Sequence, residues 1–140
     1  MITRSGSQAI ARLLSSGAVF FGAGVGSGTH PESHASTALA ADGVLGAAWY
    51  RPADVTFPAA QDDGSLLVQA TFDAGEANFW WREWCLFLAL EKITPHHELA
   101  ATAAGAVLLS RRLPAAPLHS APKAGGNWLL RECVRFHLPD

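Results

Sequence analysis

Apolar positions recur first at helical spacing and then, over most of the chain, with the alternation of strands. In residues 7–16, Ile10, Leu13 and Leu14 share one face by the i, i+3, i+4 rule. Ser5 or Ser7 is the expected cap and Gly17 the expected stop of this short helix. Residues 18–29 begin as a strand with Gly22, Gly24, Gly26 and Gly28 at alternate positions. That pattern leaves one face bare for the close approach of another backbone or a bulky ring. Residues 30–37 have loop chemistry, and 38–44 suit one helical turn. Pro52 interrupts 47–57, which reads as an edge strand or a bend.

Asp62-Asp63-Gly64-Ser65 signals a tight turn, followed by Leu66, Val68, Ala70 and Phe72 on one strand face. Residues 51–57, this turn and this strand are expected to form a hairpin. Residues 79–91 are apolar on both alternating faces, as in a strand or helix buried all round. Their three Trp and two Phe favour a strand. Residues 106–113 form another short apolar run, and 114–126 a long Pro/Ala/Gly loop. In the last segment Trp128, Leu130, Val134 and Phe136 alternate with Arg131, Cys133, Arg135 and His137. Glu132 is the one charge on its apolar face. One helix followed by strands without a βαβ rhythm predicts a mainly β, antiparallel β-sandwich or jelly-roll-like domain spanning 1–140.

Composition narrows the functional classes. The 140 residues are 49% hydrophobic and include five Trp and seven Phe, enough apolar surface to offset the entropy of ordering. Ten Lys and Arg against twelve Asp and Glu leave a net charge of −2, without the basic footprint of a nucleic-acid binder, so no specific nucleic acid is expected. No apolar run approaches the ~20 residues that cross a bilayer, and residues 1–6 do not resemble a signal peptide, so no membrane partner is expected.

Candidate chemistry is sparse. The glycine run fits neither G-x-G-x-x-G nor a P-loop. His30 and His34 are four apart, but Pro31 opposes the helix that would align them; His96 and His97 point apart in regular structure. A zinc set would have to be assembled wholly by the fold, so no metal or cofactor is expected. Cys85 and Cys133 read as free thiols acting as small hydrophobes, with Cys133, between Arg131 and Arg135, the better nucleophile. Glu76 and Glu83, with Arg82, read as carboxylates paired to an arginine or bonded to loop amides.

Gly75-Glu76-Ala77-Asn78, followed by Arg82-Glu83-Trp84-Cys85-Leu86-Phe87, resembles the "GEAN…REIGLF" stretch of small tailed-phage virion proteins of the tail-fibre and collar kind. Gly26-Ser27-Gly28-Thr29 with Ala35-Ser36-Thr37-Ala38-Leu39, the run 107–113, and Lys123 with 127–136 are similar to further stretches of that family in the same order. Trp84-Cys85 stands where the family has Ile-Gly, and His30-Pro31-Glu32 where it has a Thr-rich loop. The resemblance implies a β-rich structural subunit of a tail, tail fibre or baseplate, found in the virion after assembly in the host cytoplasm. It carries no catalytic residues.

The implied partners are other tail proteins and further copies of this chain. A homo-oligomer also follows from surface arithmetic, because a lone sandwich leaves large apolar groups of 79–90 uncovered. Trp80, Trp81 and Trp84 are the expected interface, and the fibre-like resemblance implies a trimer. The competing class is a small β-domain enzyme or ligand-binding protein using His30, His34 or Cys133.

Overall fold

A computed structural model describes residues 3–15, 18–26, 39, 44, 46–89, 106–113 and 119–135. Among these residues one helix, α1 (Arg4–Ser15), precedes seven strands: β1 (Ala18–Gly24), β2 (Ala48–Pro52), β3 (Ala59–Ala60), β4 (Ser65–Phe72), β5 (Glu83–Ala89), β6 (Val107–Arg112) and β7 (Trp128–Arg135). They form a four-stranded sheet ordered β2-β1-β5-β6 and a three-stranded sheet ordered β3-β4-β7, with every pairing antiparallel. Val19, Phe21, Ala23 and Leu86 of the first sheet meet Leu66, Val68, Ala70, Phe72 and Leu130 of the second in one buried layer. The expected mainly β sandwich with a short N-terminal helix is the fold observed.

The helix starts three residues earlier than its apolar spacing suggests. Thr3 is the cap, accepting from the Gly6 amide through its hydroxyl and from the Ser7 amide through its carbonyl, at 3.0 and 2.9 Å. Its docked stripe is Ser7, Ala11 and Leu14, and Leu13 is left 74% exposed. Small residues on that stripe let the helix sit against β3 and β4 and the Gly64 turn. A Cβ on Gly64 would lie 2.9 Å from the Ser7 Cβ.

Two strand assignments are corrected. Residues 51–57 are not the partner of β4: Arg51 and Pro52 end β2, which pairs with β1, and the hairpin arm is the two-residue β3. Residues 53–58 instead cross between the sheets. Asp54 fixes that crossing by accepting from the Thr71 amide, the Thr71 hydroxyl and the Gln69 amide group at 2.9, 2.7 and 3.1 Å. Burial would raise the Asp54 carboxyl, but these bonds outweigh it and hold it below the usual carboxylate range. The second correction concerns 79–91, where pairing begins only at Glu83 and residues 79–82 run as loop; Leu90 and Glu91 lie outside the described residues.

The four-stranded sheet is buried on its outer face as well. Phe20 stacks on Phe87 with centroids 5.0 Å apart, and the Tyr50 ring meets both edge-on. With Leu39, Ala48 and Cys85 these rings form a second apolar cluster. Gly22 makes the arrangement possible, as its alternation with Gly24 predicts; Gly28 lies outside the described residues. A Cβ on Gly22 would fall 2.6 Å from the Tyr50 ring and 2.7 Å from the Cys85 sulfur. Gly22→Ala should therefore cost about 1–3 kcal/mol by overpacking. A urea melt should show it, and adding Cys85→Ala should return part of the loss.

The surface arithmetic behind the oligomer fails for the same reason. Phe87 is fully buried, Trp81 is 1% exposed, and no aromatic residue is among the exposed large apolar groups described. No described helix is long and apolar enough to cross a membrane.

Candidate functional site

Among the described residues the densest polar constellation lies on the loop 73–79 between β4 and β5. A turn closes when the Glu76 amide donates to the Asp73 carbonyl at 3.0 Å and the Asp73 amide donates back to Glu76 Oε1 at 2.8 Å. The Glu76 carboxylate then reaches the edge strand β2. It accepts from Trp49 Nε1 at 2.8 Å and from the Arg51 guanidinium, which also bonds Asp73 Oδ2 at 3.0 Å. Burial opposes the charge on Arg51, but Glu76 and Asp73 outweigh it and push the guanidinium above its ordinary value.

Lys123 enters from the connection between β6 and β7 and is 1% exposed. Its ammonium has three protons and finds three acceptors: the Asp73 carbonyl at 2.6 Å, the Glu76 carbonyl at 2.7 Å and Asn78 Oδ1 at 3.0 Å. Asn78 is fixed in turn, donating to the Ala74 carbonyl at 2.8 Å and accepting from the Gly125 amide at 3.0 Å. Backbone and ring complete the closure, with the Lys123 amide on the Phe79 carbonyl and Trp81 Nε1 on the Ala77 carbonyl, both at 3.0 Å. Burial lowers the Lys123 ammonium from its ordinary value, against the pull of Glu76 and Asp73. Apart from Arg51 Nε, which is buried without a partner, the donors and acceptors described here bond to one another and tie two loops to the edge of the four-stranded sheet.

Glu83 finds its arginine too, but it is Arg111 of β6, at 2.5 Å, and both side chains are buried. Arg82 is exposed and lies over the Trp80 ring, 5.3 Å from its centroid. Cys85 and Cys133 belong to different sheets, Cys85 buried and Cys133 exposed. Arg131, beside Cys133, donates instead to Gln69 Oε1 at 3.1 and 2.6 Å. In the native protein one thiol, Cys133, should react at once with an aromatic disulfide reagent, and the second only after denaturation without reductant. Fast reaction of both, or of neither after denaturation, contradicts this arrangement.

His119 is exposed, its ring 4.2 Å from that of Trp128. His30, His34, His96, His97 and His137 lie outside the described residues, and among the described ones no group of three or more His, Cys, Asp or Glu is placed to hold a metal ion. Of the expected interface residues, Trp80 is half-buried, Trp84 is half-buried against the layer between the sheets, and Trp81 belongs to that layer. Arginine pairing of Glu76 is what its sequence suggests, whereas Arg51 and Trp49 as its partners carried no local signal. No family model, no curated protein and no solved structure matches this chain.

Proposed function

We propose that this chain is a structural subunit of a bacteriophage virion, in the tail, tail fibre or baseplate, that works by binding other tail proteins and copies of itself and catalyses nothing. One observation carries the reading. Glu76 and Asn78 of the phage-like GEAN stretch, and the separately matched Lys123, 45 residues beyond Asn78, converge on a single network. Residues that the resemblance puts in the same order, and that hydrogen bonds join here, are what a common scaffold requires. A network in which nearly every group bonds to another member holds a shape, as a structural subunit requires.

The homo-oligomer rests on the resemblance alone, and so does the trimer. Trp81→Ser would damage the core, so Trp80→Ser is the variant that reads assembly. Density-gradient-purified particles from the phage or prophage carrying the gene decide the question. Peptides of this chain should appear by mass spectrometry in a fixed ratio to other tail proteins. Particles that lack the chain overturn the proposal. A wild type that is a monomer at ~100 μM and touches no copy of itself in the particle overturns the oligomer.

A further inference from the structure

Among the described strands β6 and β7 each lie at the edge of one sheet, and a side chain joins them. Ser110 Oγ of β6 donates to Glu132 Oε1 of β7 at 2.9 Å. The other carboxylate oxygen, Oε2, is buried and has no hydrogen-bond partner. Glu132 projects from the face of β7 that carries Trp128, Leu130 and Val134 into the layer between the sheets. The inward face of β4 offers it Leu66, Val68, Ala70 and Phe72, and that of β5 offers Trp84, Leu86 and Leu88; none can titrate. From β6 the facing charge is Arg112, which is exposed, while Arg111 is committed to Glu83 on the opposite face.

We propose that the Glu132 carboxyl is a proton-controlled latch between the two sheets. It is closed while neutral and held by Ser110, and open once it ionises and leaves the apolar layer, loosening β6 from β7. A neutral carboxyl with one bond is tolerable in such a layer, whereas a carboxylate with a bare buried oxygen is not. Burial accordingly pushes Glu132 up from its ordinary 4.5, and the Ser110 bond and Arg112 only partly oppose it. The unfolded chain gives up this proton near the ordinary value and the folded chain above it. Between the two the folded state binds more protons, so the closed form loses stability as pH rises.

Hydrogen exchange of the β6 and β7 amides tests the latch, expressed as protection factors so that the intrinsic rate cancels. Between about pH 5 and pH 8 wild-type protection in β6 should fall roughly tenfold, while Glu132→Gln, which cannot ionise, should stay flat. Equal pH dependence in both proteins overturns the proposal. If Glu132→Gln does not fold, the carboxyl carbon shift of Glu132 in the labelled wild type decides instead. A titration midpoint above the ordinary glutamate value, tracking the loss of β6 protection, supports the latch, and any other result refutes it.

Discussion

Replacing Lys123 by methionine is expected to destabilise the protein by about 1–3 kcal/mol, although the two side chains fill similar space. The substitution leaves the buried Glu76 carbonyl without the donor that satisfies it, at a cost of about 1–3 kcal/mol, while the Asp73 carbonyl keeps the Glu76 amide. Asn78 keeps the Gly125 amide, so its own loss is smaller. Lys123→Arg should not rescue, because a planar guanidinium cannot aim three donors at acceptors arranged around one tetrahedral nitrogen. Chemical denaturation of the three proteins reads this directly. A methionine variant within about 0.5 kcal/mol of wild type would show that the ammonium holds nothing.

A larger loss, about 3–5 kcal/mol, is expected for Arg111→Leu. Glu83 is 0% exposed and Arg111 5%, and removing the arginine takes a close ion-pair partner from a buried carboxylate. The pair itself need not stabilise the fold by nearly so much, because each charge also lost its water on burial. The double variant Glu83→Gln/Arg111→Leu should therefore recover most of the loss. A double variant as unstable as the sum of the two singles would mean that the two side chains act independently.

What the sequence disclosed depended on whether a residue's partner was local. The alternation of 66–72 and 128–135 was legible because each strand has one face in the apolar layer and the other toward solvent. Glu132 stood out by breaking that alternation, and it lies where the alternation places it. The hairpin arm at 51–57 was misread because nothing local says that β2 pairs with β1, far back along the chain. Residues 79–82 have the rings of a strand, but the groups of this loop are claimed elsewhere: the Phe79 carbonyl by the Lys123 amide and the Trp81 ring nitrogen by the Ala77 carbonyl. The four glycines announced a close approach; which ring would take the space at Gly22 was a matter of register alone.

The buried lysine also sets a timetable for synthesis. Asn78 emerges from the ribosome well before the side chain that locks its loop, because Lys123 is 45 residues further on. At 5–20 residues per second that is a wait of roughly 2–9 s. Throughout it β4 has only the two residues of β3 beside it, since its long partner β7 begins at Trp128. A nascent chain in this state shows an apolar strand with an unpaired edge, the surface on which neighbouring chains on one messenger would aggregate. Yield in a heterologous host should thus respond to translation rate and to chaperones that shield strands more than to the equilibrium stability of the finished sandwich.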